Sequence, residues 1–266
     1  MMLMSYIKFC LEEFAKLVVP KTETNVSDEV VLITSTGHGI GKELALQYAD
    51  LGATLLCWDI NESTNAGTVE QIKVAGGKDF DVKSVSLEDL ATRYPQGSQF
   101  EASQQAEQQV HGHEFSVKLE MVQVFLPDVV RQNRGHIAAL SSCAGLFGLN
   151  NLVPSCDTKY AVRGFMKATA EESRYLNPKN PIKMTMVYPY INDTGLCKKS
   201  RFRFSSMGLI KPQETVAFVI KTQRTGLEEI SVPRDYFIIE KISNLFPCKA
   251  VLLLCGFLDI GVDSNL

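Results

Sequence analysis

Glu29-Val30-Val31-Leu32-Ile33-Thr34 is a short β-branched apolar run, and Ser35-Thr36-Gly37-His38-Gly39-Ile40-Gly41 follows it without a break. Leu44, Ala45, Tyr48 and Ala49 then recur at helical spacing, and Gly52 stands where that helix closes. A second apolar run, Thr54–Trp58, ends in Asp59. Strand, glycine-rich turn, helix and strand in this order form a βαβ unit. His136–Leu140, a helix through Tyr175 and the run Met184–Tyr188 repeat the alternation. The pattern predicts an α/β fold, a Rossmann-like, doubly wound parallel sheet covered on both faces.

A glycine-rich turn between a strand and a helix lets the backbone approach a pyrophosphate, which the helix N-terminal amides attract. Thr34, Ser35, Gly39, Ile40 and Gly41 are the candidate cradle. Ser35 adds a Cβ where close approach or positive φ can be required. Asp59 would accept a hydrogen bond from a ribose 2′-hydroxyl and repel a 2′-phosphate, which favours NAD over NADP. The alternative is that the glycines serve only the turn.

Composition narrows the rest. The 266 residues suffice for one large α/β domain, 45% of them are hydrophobic, and the net charge is −3. No basic run stands out, so nucleic acid is not an expected partner. The seven cysteines are scattered without a Cys-x-x-Cys pair, which argues against a disulfide framework or zinc site and for a reducing environment. His111-Gly112-His113 has no third ligand in its polar surroundings, so no metal is expected. Leu3, Ile7, Cys10, Leu11, Phe14 and Leu17 recur at helical spacing, with four charges in the first nineteen residues. Residues 1–22 therefore form an amphipathic segment, packed on the domain or lying on a membrane, but not a spanning helix. The C-terminal run Ala250–Val262 is too short to span and is a packed helix or a surface anchor.

Ser141-Ser142-Cys143-Ala144-Gly145, Ser155-Cys156-Asp157-Thr158-Lys159 and Pro189 through Thr194-Gly195 add the next layer. With Val31–Gly41, Trp58-Asp59-Ile60-Asn61, Phe125-Leu126-Pro127 and Gly135-His136-Ile137, they make the chain resemble the short-chain dehydrogenases/reductases. The resemblance is to the 16C branch, which includes epidermal retinal dehydrogenases and related hydroxysteroid dehydrogenases. It covers roughly residues 10–77 and 119–262. It implies a nicotinamide cofactor, with NAD expected ahead of NADP, and a hydrophobic alcohol or carbonyl such as a retinoid, steroid or other lipid. It also implies Ser142 polarising the substrate oxygen, Lys159 lowering a phenol pKa and holding the ribose, and Pro189 and Thr194 near the carboxamide. A homodimer and a place on the cytosolic face of endoplasmic reticulum or lipid droplet accompany it, with the cytoplasm as the alternative.

Ser155 stands where that family carries the proton-transferring tyrosine. A seryl hydroxyl is shorter by a ring and cannot reach the same point. Tyr160 follows Lys159 by one residue and points about 100° around the helix. No asparagine occurs between Asn65 and Asn133, so the family's relay asparagine and its Asn-Asn-Ala-Gly strand are absent. Between Gly77 and Glu120 the longest apolar run is Leu90-Ala91, too little for a strand buried on both faces. Residues 23–262 are expected to form one domain with a degenerate middle, 78–118, of exposed helix, loop or disorder. Three functions follow: an oxidoreductase with negligible activity, a dead homologue that still binds nucleotide or membrane, or a decayed product that folds poorly.

Overall fold

The computed structural model describes residues 4, 22–76, 81–84, 106–177, 181–192, 200–201, 209–258 and 261–262. The amphipathic face expected at the N-terminus lies outside them, as do residues 85–105.

Strand β1 (Val30–Thr34) leads through the glycine turn into α1 (Gly39–Asp50), then β2 (Thr54–Asp59), α2 (Glu62–Val74) and β3 (Asp81–Ser84). Helix α3 (Ala106–Gln132), β4 (His136–Leu140), a short 3₁₀ turn (Cys143–Gly145), α4 (Val153–Leu176) and β5 (Lys183–Pro189) follow. The chain then runs through β6 (Ser200–Arg201), α5 (Pro212–Thr225), β7 (Glu229–Val232), α6 (Asp235–Ser243), α7 (Cys248–Leu258) and β8 (Gly261–Val262). The local signals act as expected. Gly52 takes φ 79° just past α1, and Asn61 caps α2 by accepting from Thr64 N at 3.2 Å.

Among the described residues the strands form separate sheets. β1–β2–β3 form one parallel three-stranded sheet, and β4–β5–β7 form another. Among the described residues no strand pairs with the free edge of β1 or of β4. Asp81–Ser84 pairs with β2 on its outer side. That edge strand was not expected within 78–118. Its polar Asp-Val-Lys-Ser sequence suits an edge and not a centre.

The halves are joined by helices and side chains. One apolar cluster takes Ile33, Leu55 and Cys57 from the first sheet, Leu44, Ala45 and Tyr48 from α1, Val216, Val219 and Ile220 from α5, and Val187 and Ile230 from the second sheet. Met186 and Tyr188 of β5 point the other way, into a second cluster with Val162, Met166 and Tyr236. Alternation along β5 therefore covers both of its faces.

A hydrogen-bonded chain crosses from α1 to the second sheet. Tyr48 Oη donates to Gln223 Oε1 (3.1 Å), and Gln223 Nε2 donates to His136 Nδ1 (3.0 Å). Thr185 Oγ1 spends its single proton on Leu227 O (2.7 Å), so it accepts from His136 Nε2 (2.8 Å). His136 must therefore be neutral. Burial, reinforced by the charge of Lys183, pushes its imidazole down to about 4. An unfolded imidazole titrates near 6.5, so between about 4 and 6.5 the unfolded chain holds more protons, and stability rises with pH. Urea unfolding across that range should show up to about 3 kcal/mol lost toward the acid end, with nothing lost above it. His136→Gln should flatten this part of the profile; an unchanged profile would remove His136 as its source.

Candidate active site

The glycine turn is held from below. Thr36, fully buried, donates from Oγ1 to Asn65 Oδ1 at 2.6 Å, and Asn65 Nδ2 donates to Cys57 O at 3.0 Å. Asp59 reaches across from the end of β2, where Oδ2 accepts from Gly37 N and Oδ1 from Asn61 N, both at 2.8 Å. An ionised carboxylate offers about four lone-pair sites, so both oxygens keep capacity toward a sugar hydroxyl. Helix α1 opens after His38, which makes no side-chain cap, so no side chain competes for the first-turn amides. Gly41 is required: a Cβ there would lie 2.0 Å from Ser35 O. Ser35 itself sits at φ 61°, in the left-handed region that favours glycine. The sequence flagged Ser35 and Asp59; Thr36 and Asn65 were missed. Nothing local announces a buried Thr–Asn pair whose members lie on different elements.

The second group lies where β4 ends. Ser142 caps the 3₁₀ turn, accepting from Ala144 N at 3.2 Å. Ser141 Oγ donates to Lys159 O at 2.9 Å, which fixes this turn against α4. Gly145 allows the approach, because an added Cβ would lie 2.8 Å from the same carbonyl. Ser155 and Lys159 stand one turn apart on α4, so the fold brings the Ser142 turn and the Ser155–Lys159 helix together. Tyr160 Oη donates to Leu146 O at 2.8 Å. Cys156 is buried against Phe147 and Leu149, a packing residue. Pro189, buried, ends β5 beside this turn, and Thr194 lies outside the described residues.

The short chain dehydrogenase family profile matches residues 91–203, the segment that carries Ser142, Ser155 and Lys159. Short-chain dehydrogenase/reductase family 16C member 6 of Bos taurus is 30% identical over 98% of this chain and 89% of its own length. The chain belongs to the short-chain dehydrogenase/reductase family. Human epidermal retinol dehydrogenase 2 is 27% identical over 94% of this chain and 88% of its own. A short chain dehydrogenase/reductase from Burkholderia phymatum, solved in complex with NAD, shares the fold with a TM-score of 0.65 at 16% identity, covering 83% of this chain and 94% of that one.

This short-chain dehydrogenase/reductase carries beneath its Ser142 turn a polar cluster that sequence reasoning did not find. Arg163 of α4 meets Glu240 of α6 at 3.0 Å and Glu229 of β7 at 3.6 Å, and its Nη1 donates to Gly145 O at 3.3 Å. Tyr188 Oη donates to Glu229 Oε1 at 2.6 Å, and the Arg163 guanidinium lies over the Tyr188 ring, 5.4 Å from its centroid. Burial alone would push the Glu229 carboxyl up. The Tyr188 hydrogen bond and the charges of Lys167, Lys241 and Arg163 outweigh it and hold the group below its usual range. The only sequence hint was a charge, Arg163, on a helix face shared with apolar Val162 and Met166; its partners come from elements far along the chain.

Two substitutions test these contacts. Relief of left-handed strain at Ser35 is worth about 1–2 kcal/mol, and the extra unfolded-state freedom of glycine costs about 0.4–1. Ser35→Gly should therefore raise stability by about 0.5–1 kcal/mol in urea unfolding. Arg163 and Glu240 side chains are only 11% and 6% exposed. Arg163→Ala takes from buried Glu240 its closest cation, leaving Asn244 at 2.7 Å and Lys241 at 3.6 Å, and should cost about 3 kcal/mol, whereas Arg163→Met with Glu240→Leu should cost far less. Equal losses for the two would show that packing, not charge pairing, sets the effect.

Proposed function

We propose that this chain is an oxidoreductase by fold that binds a nicotinamide dinucleotide, NAD in preference to NADP, and has negligible turnover. The observation that carries it is Ser155, one helical turn before Lys159, at the position of the family's catalytic tyrosine. The residues fit the pyrophosphate and adenine-ribose half of the cofactor: Gly39, Ile40 and Gly41 at an uncapped helix start, and Asp59 with spare acceptor capacity. When bound, the nicotinamide would supply the hydride donor or acceptor. The chain must supply the proton. Ser142 offers a hydroxyl to polarise the substrate oxygen, and Lys159 a charge one turn from Ser155. A phenol that Lys159 could activate is absent from that turn, and so is an asparagine relay. A positioned proton-transfer group is worth roughly 10²–10⁴-fold, which a displaced hydroxyl forfeits.

The substrate class follows from relatives named for retinol, and is a hydrophobic alcohol or carbonyl taken from, or near, a lipid surface. The expected setting is the cytosolic face of endoplasmic reticulum or a lipid droplet. A second reading is a decayed product of marginal stability, since the two three-stranded sheets among the described residues share no cross-strand hydrogen bonding.

Thermal unfolding of the purified chain with NAD and NADP separates these readings, because a ligand bound only by the native state raises stability by mass action. NAD should stabilise more than NADP, and Asp59→Ala should erase the difference. No cooperative transition at all would favour the decayed product. Turnover on retinol should stay at background, and Ser155→Tyr alone should not restore it. Restoration should require a relative's whole segment in place of about Gly77–Val117 as well. Robust NAD-dependent oxidation by the unmodified chain, lost on Lys159→Ala, would overturn the proposal.

A further inference from the structure

Within about one helical turn, α4 is tied three times to the segment that follows Ser142. Ser141 Oγ donates to Lys159 O at 2.9 Å, Tyr160 Oη to Leu146 O at 2.8 Å, and Arg163 Nη1 to Gly145 O at 3.3 Å. The first two ties are local. The third is not, because the guanidinium that makes it is held by other elements. Its Nη2 meets Glu240 Oε1 of α6 at 3.0 Å, its Nε faces Glu229 Oε1 of β7 at 3.6 Å, and its central carbon lies over the Tyr188 ring of β5. A planar fork directs two donors at once, which a point charge on a flexible stem does not. Gly145 is also where turn and helix backbone touch, since an added Cβ would lie 2.8 Å from Lys159 O. Arg163 thus grips the turn at its contact with the Lys159 backbone.

The two acids play different parts. Glu229 has partners besides Arg163: Tyr188 Oη donates to it at 2.6 Å, and Lys167 and Lys241 lie 3.3 and 3.7 Å from its Oε2. Glu240 depends on Arg163, its closest cation, with Asn244 Nδ2 at 2.7 Å and Lys241 at 3.6 Å. Helix α6 buries Tyr236, Glu240 and Ser243 and leaves Ile238 and Ile242 exposed. Apolar burial alone would favour Ile242 over Glu240 in the interior, so the ion pair selects this rotation.

We propose that Arg163 is a positioning residue for the Ser142–Lys159 end of the site and that Glu240 acts through it. Helix α6 thereby sets the spacing of a turn that it does not carry. The latch fixes Ser142 against Lys159, and with them the nicotinamide end of a dinucleotide, while the glycine turn and Asp59 hold the adenine end separately. The nicotinamide part rests on the reading above; the latch itself does not.

Arg163→Met with Glu240→Leu tests it, because the pair removes the latch and leaves Glu229 with Tyr188, Lys167 and Lys241. Cys143, 3% exposed, reports on the turn, and Cys57, fully buried in β2 of the other sheet, is the control. N-ethylmaleimide labelling of the native full chain, mapped to each cysteine, should quicken roughly tenfold or more at Cys143 in the double variant and stay unchanged at Cys57. Glu240→Gln keeps an acceptor for Arg163 and should label like the parent. Arg163→Lys keeps only the charge and should label like the double variant. Calorimetric titration should show NADH bound roughly tenfold more weakly by the double variant, and ADP bound as by the parent. Cys143 labelling that is unchanged, or that rises together with Cys57, would overturn the inference. NADH binding unchanged, or weakened no more than ADP binding, would overturn the positioning role. A parent chain that binds neither nucleotide would refute the nucleotide reading instead, and the thiol result would still decide the latch.

Discussion

The packing of α1 on α5 is the contact on which the rest of the structure depends. In a parallel sheet the strands are normally bound to each other through the middle, and helices cover a surface that already exists. Here β1 and β4 share no strand between them among the described residues, so the load falls on the covering layer. Tyr48, Leu44 and Ala45 from α1 meet Val216, Val219 and Ile220 from α5 in one cluster, with Ile33 and Val187 below. The chain from Tyr48 through Gln223 and His136 to Thr185 adds direction to that non-directional burial. Polar groups so placed contribute only while each proton has a single place to go.

The same constraint orders the two halves of the candidate site. The glycine turn belongs to the first sheet, and the Ser142 turn with Ser155 and Lys159 to the second. Each half is well built locally. Asp59, Thr36 and Asn65 secure the first; Ser141, Gly145 and Arg163 secure the second. A dinucleotide would have to span both, so the α1–α5 contact also sets the register in which its two ends could be held. The residue at position 155 therefore bears on proton transfer, and the separation of the two sheets among the described residues bears on alignment.

Glu240 links this interior to the surface. By drawing Glu240 inward, Arg163 fixes the rotation of α6, and that rotation turns Ile238 and Ile242 outward. A buried charge pair is weak evidence for stability but can select one orientation of a helix over another. The apolar outer face of α6 is thus set by the ionic cluster beneath the Ser142 turn.

The sequence by itself determined the element order, the glycine turn, Asp59 at the end of β2 and the absence of a tyrosine before Lys159. Each is local, fixed by residue type and short spacing. It also set the expectation of a degenerate middle, because a strand buried on both faces demands an apolar run that residues 78–118 lack. Only the tertiary structure decided that Asp81–Ser84 would pair on the outer edge of β2, since an edge position tolerates polar side chains on any strand. The Thr36–Asn65 clasp, the His136 chain and the Arg163–Glu229–Glu240 cluster were likewise invisible in sequence. Their members lie tens of residues apart, and a buried polar side chain looks like a surface one until the fold supplies its partner.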